Sequence, residues 1–305
     1  MIIAFVSSSL LGQNETDNTD SPNIALNKVV QSISERSYIV AQLGGFNKYE
    51  NQKHNIEKLI FEFNVSPSYL LRFGKSSSWG MQLNMTINGR MFNENSFPIY
   101  SPSFRPSIRF YKNWKNNGEY FQISTVKIAH YSNGQNGDNL NSDGGLNLIN
   151  GNFSTDFIEL NHYWAEKDVF ISKSIWTGDV GYQQHIPWIT RDKFKDDYFY
   201  YGKLTFRNAL FFDEIPWFKR KNDQNSLKAP WFFMLPVSVN WGIKNYKTNV
   251  DITPSLGVKP YKHIDFYLFI NYFYGNDYYN SRHIYKRSAF MIGIITDPID
   301  LNIFR

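Results

Sequence analysis

Met81-Gln-Leu-Asn-Met-Thr-Ile-Asn88 sets an apolar side chain at every odd position and a polar one at every even position. A β-strand turns successive side chains to opposite faces, so this alternation gives one apolar and one polar face, whereas a helix would scatter the same residues around its axis. The pattern recurs along the chain. Val250-Asp-Ile-Thr-Pro-Ser-Leu-Gly-Val258 keeps it in the opposite phase. Ile158, Leu160 and Trp164 alternate with Glu159, Asn161 and Tyr163, and Val237, Val239 and Trp241 with Ser238 and Asn240. Phe266, Leu268, Ile270 and Tyr272 line one side of 265–273. From residue 57 on, roughly eleven or twelve such segments fit, each of about ten residues or more, between turns rich in Asn, Gly, Asp, Ser and Lys.

Two architectures produce this alternation. A soluble sandwich or barrel buries its apolar face in a core, whereas a membrane barrel turns that face to lipid, keeps a polar lumen and carries aromatic girdles. Aromatic residues make up 18% of the chain, yet mean hydropathy is −0.44. Long strands, aromatic excess and a polar second face together predict an all-β protein, a transmembrane antiparallel β-barrel of about twelve strands in the bacterial outer membrane. Ile292 to Phe304 reads as its last strand. No run of about eighteen apolar residues lies outside the N-terminus, which excludes helical spans. The absence of cysteine removes disulfides and thiolate metal sites. A net charge of +5, spread without a basic stripe, argues against nucleic acid as a partner. Residues 1–13, apolar and ending in small residues, read as a signal peptide without the usual basic start. Residues 14–56 read as a polar periplasmic extension, and 57–305 as the catalytic barrel.

The chemistry gathers in Lys127-Ile-Ala-His-Tyr-Ser-Asn-Gly-Gln135. By parity His130 and Ser132 share a face with Val126 and Ile128, the face predicted to meet lipid. A serine hydroxyl needs a base to take its proton, and that base works best when a third group fixes its tautomer. Asp156, at the start of the next strand and in phase with Ile158 and Leu160, can supply the third group. Gly134 can bring its backbone N–H to a tetrahedral intermediate. Each has a plainer reading: Ser-Asn-Gly-Gln as a hairpin turn, His-x-Ser as surface decoration, Asp156 as a strand-start residue. The Asn- and Gly-rich loop 133–152, with Asp138 and Asp143, could hold a hard cation or be solvated loop.

His130-Tyr-Ser132-Asn-Gly134-Gln resembles the active-site segment of the outer-membrane phospholipase A family, His-x-Ser-Asn-Gly-Arg at a strand end, completed by an Asn on the adjacent strand. Asn95 to Phe110, with Ser96, Pro98 and Pro106, is similar to the family's serine–proline loop and the strand after it. Tyr272-Phe-Tyr-Gly275-Asn-Asp-Tyr-Tyr-Asn280 resembles its Tyr-Gly-Glu segment. The likeness spans about 57–305, and it implies a twelve-stranded barrel that cleaves acyl esters of membrane phospholipids, depends on Ca2+ and works as a homodimer. Matched by position, His130 is the base, Ser132 the nucleophile, Gly134 the oxyanion donor and Ser96 a calcium-site residue. Asp156 stands where the family has Asn. Gln135 replaces its Arg, and Asp138 is a nearby candidate ligand in a loop about a dozen residues longer than usual.

The leading expectation is therefore an outer-membrane serine hydrolase with phospholipase A1/A2 activity. A lipid A deacylase also uses His-x-Ser-Asn on a barrel strand with an acidic third member, but is much shorter. A non-catalytic channel or structural barrel would keep its polar residues in the lumen, not at the lipid-facing positions of His130, Ser132 and Asp156.

Overall fold

This computed structural model describes residues 34–44, 59–73, 77–93, 95–96, 98–99, 101–114, 120–166, 174–186, 201–212, 231–242, 249–260, 266–280, 282 and 285–296. Their strands are β1 (Tyr38–Gly44), β2 (Leu59–Val65), β3 (Ser68–Arg72), β4 (Trp79–Phe92), β5 (Ser103–Trp114), β6 (Tyr120–Ser132) and β7 (Ser154–Glu166). There follow β8 (Ser174–Ile186), β9 (Gly202–Phe212), β10 (Trp231–Trp241), β11 (Asn249–Ile252), β12 (Ser255–Val258), β13 (Phe266–Asn276) and β14 (Lys286–Thr296). All join one antiparallel sheet, and it closes on itself: β14 pairs with β1, and β9 with β10.

Fourteen strands make twelve staves because proline splits two of them. β2 and β3 both lie along β4, separated at Ser66-Pro67; β11 and β12 both lie along β10, separated at Thr253-Pro254. Proline has no N–H for the ladder, but its carbonyl still serves. Pro67 accepts from the Met85 N–H at 3.2 Å and Pro254 from the Tyr272 N–H at 3.1 Å.

The face assignment decides between the two architectures. Leu83, Met85, Ile108, Phe110, Val126, Leu160, Leu268 and Ile292 are exposed on the outside, whereas Gln82, Thr86, Arg109, Thr125 and Lys127 are buried in the lumen. A soluble protein sorts its residues the other way. The molecule is a closed twelve-stave barrel of the outer-membrane kind.

Part of the lumen is apolar, packed around Phe232, Phe269, Phe273 and Met291. Elsewhere buried ions cross it. Arg90 binds Glu62 and Asp277, each at 2.7 Å, Arg287 reaches Glu62 at 3.3 Å, and the Tyr38 and Tyr278 hydroxyls donate to Glu62. Burial alone would raise the carboxyl of Asp277, which follows β13, but Arg90 and Arg287 beside it hold it below the usual carboxylate range.

Two sequence boundaries are corrected. The barrel begins at Tyr38, inside the stretch read as an extension, because the short β1 pairs with both β14 and β2 and closes the cylinder. Even the residues before it belong to the lumen, where Glu35 meets Lys127 at 2.6 Å and Arg105 at 3.1 Å. The last described strand runs Lys286–Thr296 and so starts six residues before Ile292, its register along β13 beginning at Lys286 opposite Asn276, while the expected end at Phe304 lies outside the described residues. Residues 297–305 and the signal-like 1–13 lie outside the described residues.

Candidate active site

The connections 93–102, 133–153 and 277–285 share one end of the barrel, and the His130 segment sits there. In the β6–β7 ladder His130 stands directly opposite Asp156, and Ser132 opposite Ser154. The His130 Nδ1 lies 2.8 Å from the Asp156 Oδ1. The imidazole side chain is 37% exposed and the carboxylate 13%, so the ring covers its partner on the outer face. An ionised carboxylate only accepts, which places the shared hydrogen on Nδ1 and leaves the Nε2 lone pair facing outward.

Ser132 shares the outer face, about 6.6 Å along the strand from His130. Among the described residues no hydrogen bond joins its hydroxyl to the imidazole. On the other flank, β5 pairs Phe104 with Ser132 and Ser107 with Ala129, so Pro106 stands level with His130. A proline there removes a donor from the ladder beside the motif.

Tyr131, between the two candidate residues, points the opposite way and ties the strand end to the 277–285 connection. Its hydroxyl donates to the Tyr278 carbonyl at 3.0 Å and accepts the Asn280 N–H at 2.8 Å, while its ring meets Phe153 edge-on at 4.7 Å. Asn133 then pins the loop. Its Nδ2 donates to the Gly151 carbonyl at 2.7 Å, and its Oδ1 accepts from the N–H groups of Phe153 and Gln135 at 3.0 and 3.2 Å. The 133–153 loop is built, not slack: Gly137 bridges to Gly151, and Leu140 to Leu146. The Ser101 hydroxyl donates to the Ile149 carbonyl, and Asn280 and Tyr279 both donate to the Ser101 carbonyl. Gly134 takes φ +65°, a left-handed conformation that glycine tolerates, and is exposed beside the Phe104 ring.

The expected cation ligands are spread over two loops. Ser96 is exposed in a turn at φ +68°, Asp138 is exposed with its backbone carbonyl accepting from Asn147, and the Gln135 backbone is held by Asn133. Among the described residues no three acidic or imidazole side chains converge on a metal position. Ser96 from one loop and Gln135 and Asp138 from another offer one carboxylate and two neutral oxygens, fewer than the roughly six to eight oxygens of a hard-cation shell.

Sequence reasoning missed Tyr131 and Asn133 as the residues that hold the strand end. It also missed a second polar row lower on the same face, Lys112, Ser124 and His162, although strand parity already set Ser124 with Val126 and His162 with Leu160.

No protein-family model matches this sequence, and no curated protein is similar to it in sequence. Solved structures share its fold. The outer membrane phospholipase A of Escherichia coli gives a TM-score of 0.53 at 11% identity, covering 88% of this chain and 97% of that one. The outer membrane phospholipase of Salmonella typhi, a dimer with bound calcium, gives 0.55 at 11% identity, covering 87% of this chain and 91% of that one. A likeness at this identity is one of fold, and chemistry has to be argued from residues.

Proposed function

We propose that this protein is an outer-membrane serine hydrolase that cleaves acyl ester bonds of phospholipids. The observation that carries the proposal is the His130–Asp156 pair, directly opposed and hydrogen-bonded at 2.8 Å on the face that meets lipid, two residues from Ser132. Polar side chains on that face are unfavourable within the bilayer and need a reason to be there. A His-x-Ser arrangement in a channel would serve nothing on the outside of the wall.

In this reading Ser132 Oγ attacks the ester carbonyl while His130 Nε2 takes its proton, and Asp156 holds the ring and stabilises the imidazolium. The Gly134 N–H donates to the developing oxyanion. The C–O bond then breaks, His130 returns the proton to the departing lysophospholipid alcohol, and water hydrolyses the acyl-serine with His130 again as base. Tyr131 and Asn133 fix the strand end that carries these groups.

The resemblance further implies calcium and a homodimer. Because Ser96, Gln135 and Asp138 supply few ligands in one chain, a shell of roughly six to eight oxygens would be completed by water and by a second copy. The deciding experiment incubates the purified protein in detergent with a labelled phospholipid, with and without calcium. Lysolipid and free fatty acid are expected from the wild type and not from Ser132→Ala. Equal product from both would overturn the serine mechanism, and activity unchanged by chelation in a protein that stays monomeric would remove calcium and the dimer alone.

A further inference from the structure

On the same outer face, at the opposite end of the barrel, four residues lie in one cross-strand row. Trp79 is opposite Lys112, Lys112 opposite Ser124, and Ser124 opposite His162. The Lys112 ammonium sits 4.8 Å from the Trp79 ring centre and 4.3 Å from that of Trp114. The Trp114 indole donates to Ser124 Oγ at 2.8 Å, and Ser124 Oγ lies 3.0 Å from His162 Nδ1. With the indole hydrogen on Ser124, the arrangement that satisfies every hydrogen has the serine hydroxyl donating to Nδ1. The remaining ring hydrogen is then on Nε2, the nitrogen that Ser124 leaves free for a ligand. The row thus offers two donors to an outside ligand, Lys112 Nζ and His162 Nε2.

These residues edge a groove of about 490 Å³ in the outer wall, whose floor continues over Phe110, Val126, Leu160 and Val180. Among the described residues no carboxylate lines it. A cation on a lipid-facing wall costs about 2–4 kcal/mol at the bilayer midplane and about 0–1 near the interface, where tryptophans also collect. Trp79, Trp114 and Trp164 mark that interface here, and Gly178 leaves the Trp164 ring room to lie flat, since a Cβ there would stand 2.4 Å from it.

We propose that this groove binds one phospholipid, its phosphate held by Lys112 and His162 and an acyl chain lying over Phe110, Val126 and Leu160. Positive charge with no carboxylate among the described lining residues matches the phosphate, and the apolar floor running away from that charge matches the chain. The site is separate from the His130 row, about 20 Å away along β6, so a lipid anchored here has its head group at the other interface. It rests on no assumption about catalysis.

The test uses the full chain carrying Ser132→Ala, so that no probe lipid can be hydrolysed, and native mass spectrometry in a mild detergent with added phosphatidylglycerol. One retained lipid per chain is expected, weakened at least about tenfold by Lys112→Gln with His162→Gln and restored by Lys112→Arg with His162 intact. Heat-modifiable migration on a gel shows that each variant is folded. Diacylglycerol, which lacks the phosphate, should compete at least about tenfold less well, and inorganic phosphate alone should leave the lipid in place. Equal retention by wild type and the double substitution, or equal competition by diacylglycerol, would overturn the site. Displacement by inorganic phosphate would show a free-anion site and overturn the lipid assignment.

Discussion

Two polar rows face outward on the β6–β7 seam, and they differ in charge and in what stands behind them. The row at the loop end pairs His130 with the carboxylate of Asp156; the row at the far end pairs His162 with the hydroxyl of Ser124, beside a lysine. A carboxylate orients an imidazole and stabilises its cation, which suits a base. A hydroxyl that donates to Nδ1 leaves Nε2 as a donor, which suits an anion. Behind the first row Tyr131 locks into the 277–285 connection, whose Asp277 is held by Arg90; behind the second lie Thr125 and Tyr163, both buried. Between the rows the seam is apolar, through Val126, Ile128, Ile158 and Leu160. The same pair of strands can thus carry two chemistries because the histidine's partner in each row, Asp156 or Ser124, sets the direction of the hydrogen bond.

The comparison breaks first at Ser132. Ser132→Ala is expected to lower phospholipid hydrolysis by about 10⁴-fold or more, and His130→Ala comparably, because members of such a triad act as a unit. Folding, followed by heat-modifiable migration, should not change. The matching change in the far row, Ser124→Ala, should leave hydrolysis within about twofold in the same assay. A large loss there would mean that the two rows are one site.

A stability difference should follow from the braces behind the rows. Asp277→Asn removes one partner of a buried ion pair, which typically costs about 3–5 kcal/mol, and should lower the thermal midpoint at neutral pH. Its carboxyl has a folded pKa below the unfolded one, so its contribution is present above about pH 4 and is lost as pH falls through the folded value. The midpoints of wild type and variant should therefore converge in acid; a gap that persists there would show that the amide disturbs packing instead. Tyr131→Phe keeps the ring but leaves the Asn280 N–H without its acceptor, at roughly 1–3 kcal/mol. It should reduce kcat more than KM by loosening the strand end.

Asp156→Asn is expected to have the mildest effect, within about tenfold in kcat, because an amide oxygen can still accept from Nδ1 and the resembling family uses Asn at this place. A loss as deep as that of Ser132→Ala would show that the charge itself is required, and would sharpen the contrast with the neutral partner of His162.

Alternation is local, so the sequence by itself determined the staves: a residue two positions away always shares a face, and Met81–Asn88 carries its phase wherever the strand lies. That local rule also set His130, Ser132 and Asp156 on the apolar face. It could not say which face met lipid, because a sandwich and a barrel share the same period; the tertiary structure decided that by burying Arg109 and Lys127 while exposing Phe110 and Val126. Nor could it give the register across a loop of some twenty residues, since a long connection constrains the pairing of its strands only weakly. The ladder alone set His130 against Asp156 and Ser124 against His162. Tyr38–Gly44 was read as an extension because seven residues give few alternations and their worth comes from closing β14 onto β2. The loop ends and lumen ions belong to the same class: Tyr131 with Asn280, and Arg90 with Asp277, are more than a hundred residues apart, and only the closed cylinder brings them together.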